Sequence, residues 1–132
     1  MRQGILAGLV VLGLAAGLAT ALAQDPAVGL GTTVQPIFDR ECVKCHGTKE
    51  KKSKLDLSAG EAYKSLVGVP SREVPETLRV KPGDPEQSYL WLKLNHSASE
   101  GSGMPKGIFF SKNLSDQDLA TIRAWIVSGA RP

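Results

Sequence analysis

Proline and glycine break this chain into short pieces. Pro70, Pro75 and Pro82 fall between Val69 and Gly83, and Gly101, Gly103, Pro105 and Gly107 fall between His96 and Lys112. Proline lacks an amide donor and pushes the preceding residue towards extended backbone, so neither stretch can form a helix interior. The helical patterns left between these breaks are short. Short helices joined by long loops bury little side-chain core, and long loops are uncommon unless they do something. A chain of this kind needs more than its own side chains at its centre.

The first residues are best set apart from the fold. Arg2 is followed by an uncharged run of Leu, Val, Ala and Gly from Ile5 to Leu22, closing in Ala21-Leu22-Ala23 ahead of the polar Gln24-Asp25-Pro26. A basic start, an apolar stretch and a small-x-small terminus describe a cleaved export signal over residues 1–23. As a membrane anchor the run is short of the ~20 residues a bilayer needs, and no basic residue follows it directly. Residues 24–132 are then the mature domain, with no membrane span, and loss of Arg2 lowers the net charge from +3 to +2. The expected compartment is the periplasm, which is oxidising.

Within that domain Thr32 or Thr33 is placed to cap a first helix through Ile37 and Phe38 to about Cys45, with Pro36 in its first turn. Ser58 and Glu61 have capping-box spacing ahead of a helix from Glu61 to Val67, stopped by Gly68. Asp84-Pro85 reads as the start of a third helix whose apolar face uses Tyr89, Leu90, Leu92 and Leu94. Ser115 caps a last helix in which Leu119, Ile122 and Ile126 recur beside Trp125, and Gly129 ends it. No segment alternates as a strand would, so the expected fold is a single all-α domain with long loops. A hydrophobic content of 42% excludes a wholly disordered chain. A net charge of +3 with 5% aromatic residues gives no basis for nucleic-acid binding.

The chemistry concentrates in Cys42-Val43-Lys44-Cys45-His46. On a helix, residues three and four apart share a face, which puts two thiols and an imidazole on one patch. That spacing suits two thioether bonds to the vinyl groups of one haem, with His46 reaching the iron, and C-x-x-C-H is the attachment signature of haem c. A thioredoxin-type disulfide would need no His and sits in an α/β pattern not seen here. A zinc site would need a fourth ligand, and His96 is the only other His.

For the iron's other face, Met104 is the only Met after residue 23, set in Gly101-Ser102-Gly103-Met104-Pro105. The glycines allow close backbone approach to a flat ring, and Pro105 restricts the exit. A thioether is a soft ligand that raises the iron's potential relative to a second imidazole. His96 is the rival ligand, and an open or water-bound iron is the third possibility.

These residues resemble the small monohaem class I c-type cytochromes. The resemblance rests on Cys42-Val43-Lys44-Cys45-His46, the Gly-Met104-Pro loop, and the final Ala124-Trp125-Ile126 helix ending in Ser128-Gly129-Ala130. Val34-Gln35-Pro36-Ile37-Phe38 and Lys54-Leu55-Asp56-Leu57-Ser58 are similar to bacterial cytochrome c domains that also occur within larger redox proteins. The resemblance implies a helical fold round one covalent haem, with first and last helices crossing near Ile37, Phe38 and Trp125. Many members carry a proline soon after the motif, whose carbonyl orients the proximal His. Here Gly47-Thr48 and a Lys-rich run stand in its place, leaving Pro70 and Pro75 as candidates that spacing does not separate.

With both axial positions filled, such a haem exchanges electrons and performs no bond chemistry, so an electron carrier and not an enzyme is expected. Lys44, Lys49, Lys51, Lys52 and Lys54 either rim the haem edge for an acidic redox partner or form a solvated loop interrupted by Glu50. The alternatives are a haem-bearing subunit or docking module of a larger dehydrogenase or oxidase, and a peroxidase-like or ligand-sensing haem. The expected state is a monomer or a subunit of a redox complex.

Overall fold

The computed structural model describes residues 28–107 and 112–132, so the apolar leader at residues 1–23 lies outside the described residues. Among the described residues four α-helices form: α1 (Gln35–Glu41), α2 (Ala62–Leu66), α3 (Tyr89–Leu94) and α4 (Asp116–Val127). A π-helical turn, Leu30–Val34, leads directly into α1, and a 3₁₀ turn, Pro85–Gln87, precedes α3. Among the described residues there is no β-strand. The isolated bridges Val67–Val80 and Pro70–Leu78 fold the proline-rich crossing back on itself. The fold is all-α, as the sequence implied.

The longest helix, α4, follows its local signals closely. The Ser115 hydroxyl accepts the Asp118 N–H at 3.1 Å, and Asp116 and Asp118 place negative charge at the positive end of the helix. At the other end Gly129 N–H donates to Ile126 O and Ala130 N–H to Trp125 O, with Gly129 at φ +100°. That pair of bonds closes the helix through a left-handed glycine. Ile122, Trp125 and Ile126 are fully buried on one stripe and join Val34, Phe38, Leu57 and Leu66 in the core. Burying each such side chain favours folding by ~1.5–3 kcal/mol.

The crossing at the chain ends is made differently from expectation. Ile37, Phe38 and Trp125 share one core, but α4 packs chiefly against the Leu30–Val34 turn. Arg131 O ties the two together, accepting Leu30 N–H at 3.0 Å and Trp125 Nε1–H at 2.7 Å. Neither Thr32 nor Thr33 caps a helix start, because winding begins earlier, at Gly29. The Thr33 hydroxyl instead donates back to Gly29 O at 2.7 Å.

Three other helix boundaries differ from the sequence reading. Helix α1 stops at Glu41 and does not reach Cys45, since Cys42 N–H and Val43 N–H both donate to Phe38 O and the turn widens. The Ser58 hydroxyl does not cap α2; Glu61 and Ala62 N–H donate to its main-chain carbonyl, and its own N–H goes to Asp56 Oδ1. Asp84 does cap the next turn, accepting Gln87 N–H at 3.2 Å, but the helix breaks at Ser88. Tyr89 and Leu90 N–H find carbonyls on Leu78 and Arg79, so α3 starts afresh from partners distant in sequence.

Candidate haem site

The widened turn after Phe38 sets the geometry of the pentapeptide. Cys45 N–H and His46 N–H both donate to Cys42 O, at 3.0 and 2.9 Å, so a tight turn brings the three side chains together where a continuous helix was expected. Beyond it the chain doubles back: Gly47 N–H donates to Glu50 O, Lys52 N–H to Cys45 O, and Leu57 N–H to His46 O. Gly47 is buried in this fold-back, and a Cβ there would stand 2.5 Å from Val43 O and 2.8 Å from Val43 Cγ1. Only glycine fits without displacing the backbone.

The doubled-back loop also orients the imidazole. Nδ1 of His46 lies 3.0 Å from Lys52 O, so the carbonyl accepts its proton and Nε2 keeps a free lone pair. Pro70 and Pro75 do not take this role. Burial pulls the His46 pKa below its ordinary value of 6.5, the Lys52 carbonyl only partly opposing it, which favours the neutral ring a metal requires. Lys52 and Ser53 sit in a tight turn in which Ser53 and Lys54 have left-handed φ of 57° and 52°.

Cys42, Cys45, His46 and Met104 all line one cavity of about 290 Å³. Leu55, Leu57, Leu66, Leu90 and Leu94 give it apolar walls, while Arg72, Arg79 and Lys106 supply positive charge. Cys42 and Cys45 are not joined by a disulfide, and burial pushes the Cys42 thiol up to about 12, with the Glu41 charge adding to the effect. His96 is exposed, does not line the cavity, and sits against Gly103, where a Cβ would overlap its ring. The glycines beside Met104 thus admit protein side chains: Gly103 faces His96, and Gly101 faces Lys93 and Glu73.

The Met104 loop is held at both ends. Met104 N–H donates to Lys93 O at 2.9 Å, and Lys112 N–H to Pro105 O at 2.8 Å, with a cis peptide between Met104 and Pro105. Lys112 Nζ also reaches Glu41 Oε2 at 2.8 Å, tying the loop's exit to the end of α1. Sequence reading missed several contributions to this site. Lys52 acts through a carbonyl that any residue possesses. Arg79, whose guanidinium donates to Ser65 O at 2.7 Å, and Lys93 carry signals that look like ordinary surface charge.

Two thiols, an imidazole with its far nitrogen anchored, a thioether, leucine walls and cationic groups form a donor set that fits a flat, largely apolar macrocycle bearing carboxylates. No helix among the described residues is long and apolar enough to cross a membrane. The profile of the family described as Cytochrome c matches residues 32–130. No curated protein and no solved structure matches the chain.

Proposed function

The chain belongs to the cytochrome c family, and we propose that it is an exported, periplasmic electron carrier holding one haem c, with His46 and Met104 as axial ligands. The single observation that carries this reading is that Cys42, Cys45, His46 and Met104 line the same cavity. Bound there, haem supplies a one-electron ferric–ferrous couple.

The residues divide the work. Cys42 and Cys45 hold the group by thioethers. His46 offers Nε2, its ring fixed by the Lys52 carbonyl. Met104 offers a soft, neutral sulfur that favours the reduced metal and leaves no open position for a substrate. The leucine walls keep water away, which further tunes the potential. The exposed Lys44, Lys49, Lys52 and Lys54 offer a positive rim to an acidic redox partner, while Lys51 is partly engaged by Asp56 at 3.2 Å. Export rests on the apolar leader at residues 1–23.

The test is spectroscopic. Protein produced with haem-maturation machinery should be red, low-spin, and carry the far-red ferric band of Met–iron ligation. Met104→His should lower the midpoint potential markedly. An unchanged potential removes Met104 from the iron, and a high-spin spectrum with rapid cyanide or peroxide binding would replace the carrier by a ligand-binding haem. Electron transfer to an acidic partner should slow as salt is added.

A further inference from the structure

The segment leading to Met104 is wrapped round one buried ammonium. Lys93 belongs to α3, and its side chain is only 9% exposed. Its Nζ donates to Glu100 O at 2.7 Å and Ser102 O at 3.1 Å, and it forms an ion pair with Glu73. Its own main-chain carbonyl accepts Met104 N–H. Tyr89, one turn earlier on α3, places its hydroxyl 2.8 Å from Glu73 Oε2 and 2.9 Å from Glu100 O, and its ring lies 5.1 Å from the ammonium.

The backbone leaves no slack round this group. Gly101, between the two accepting carbonyls, has φ +67°, and a Cβ there would come within 2.5 Å of Lys93 Nζ and 2.6 Å of Glu73 Oε1. Burial would raise the Glu73 carboxyl, but hydrogen bonds from Lys93 and Tyr89 outweigh it and hold the group below its ordinary 4.5, which favours the carboxylate. A buried ammonium is costly unless its donors are met, and here they are met by two loop carbonyls and by Glu73. A leucine would serve the core better, so the contacts point to what the loop gains.

We propose that Lys93 is a positioning residue for Met104, a clamp that ties both the main chain of Met104 and the two carbonyls before it to α3. The proposal rests on the reading of Met104 as an axial ligand. The clamp disfavours conformations in which the loop lifts and the thioether leaves the cavity. A competing ligand can bind only from such lifted states, so its apparent affinity scales with their population.

The experiment uses the ferric holoprotein and imidazole as the competing ligand, with the far-red band and the chemical unfolding midpoint followed alongside. Lys93→Leu should bind imidazole about tenfold more tightly or better, since it removes charge-assisted bonds to two loop carbonyls. It should also weaken the far-red band. Met104→Ala is the control. If it alters neither imidazole affinity nor the band, the axial reading fails and the clamp fails with it. If Met104→Ala acts but Lys93→Leu binds imidazole as the parent does, the clamp alone is overturned. Should Lys93→Leu not fold, Tyr89→Phe removes only the hydroxyl and should tighten imidazole about threefold, and unchanged affinity overturns the clamp equally.

Discussion

His46 Nδ1 and the Lys52 carbonyl oxygen lie 3.0 Å apart, bridging six residues of a loop that doubles back on the Cys-containing turn. Three main-chain bonds, Gly47 to Glu50, Lys52 to Cys45 and Leu57 to His46, hold the carbonyl where the ring needs it. The imidazole is therefore oriented by a lysine's backbone, in a loop whose Lys-rich sequence reads as solvated surface. Pro70 and Pro75 sit instead in the crossing before α3, where Pro70 pairs with Leu78.

Gly47 makes that fold-back possible by its size. Gly47→Ala would push a methyl group into Val43 O, an atom of rigid backbone at 2.5 Å. The variant should lose about 1–3 kcal/mol of stability, read as a lower denaturant midpoint. It should also perturb the His46 ring, and an unchanged midpoint with unchanged haem spectrum would contradict the crowding.

Each thiol should account for one covalent link. Cys42→Ala or Cys45→Ala should leave a single thioether and shift the α-band of the pyridine haemochrome. Retention of the parent band position in either variant would show that the deleted sulfur was never attached.

The closure between the chain ends depends on Trp125. It is fully buried, and its indole N–H donates to Arg131 O at 2.7 Å. Trp125→Phe should cost about 1–3 kcal/mol through the lost bond and incomplete filling of the site. Thermal unfolding of the holoprotein should fall accordingly, while the visible spectrum keeps its form.

Glu41 gives the fold a small acid-sensitive component. Hydrogen bonds from Lys112 and then Arg40 hold its carboxyl below the ordinary 4.5. The unfolded chain therefore takes up this proton first as pH falls. The stabilisation is fully present above pH 4.5 and disappears as pH drops through the folded-state value. Its partners are largely exposed, so the contribution should stay below ~1 kcal/mol. Glu41→Gln should flatten that part of the stability–pH curve, and an identical acid limb in the variant would count against the pairing.

Much of this protein is written in short-range signals. The pentapeptide from Cys42 to His46, the Ser115 cap, the Gly129 stop and the Asp84 cap each place a side chain or a glycine within a few residues of the backbone groups it serves, so their spacing is legible without a fold. The absence of strand patterning likewise follows from composition and punctuation.

The rest came from which backbone groups and charges the folded chain brings together. Helix α1 ends before Cys42 because two amides compete for Phe38 O, and α3 starts only after Ser88 because Leu78 and Arg79 in the preceding crossing offer carbonyls to Tyr89 and Leu90. Lys52 orients His46 with an atom common to every residue, and Lys93 reads as a polar position on an amphipathic helix until Glu73, Glu100 and Ser102 close round it. A main-chain hydrogen bond carries no residue-type signature, and a buried charge is tolerable only once the folded chain supplies its partners. Those features exist only in three dimensions.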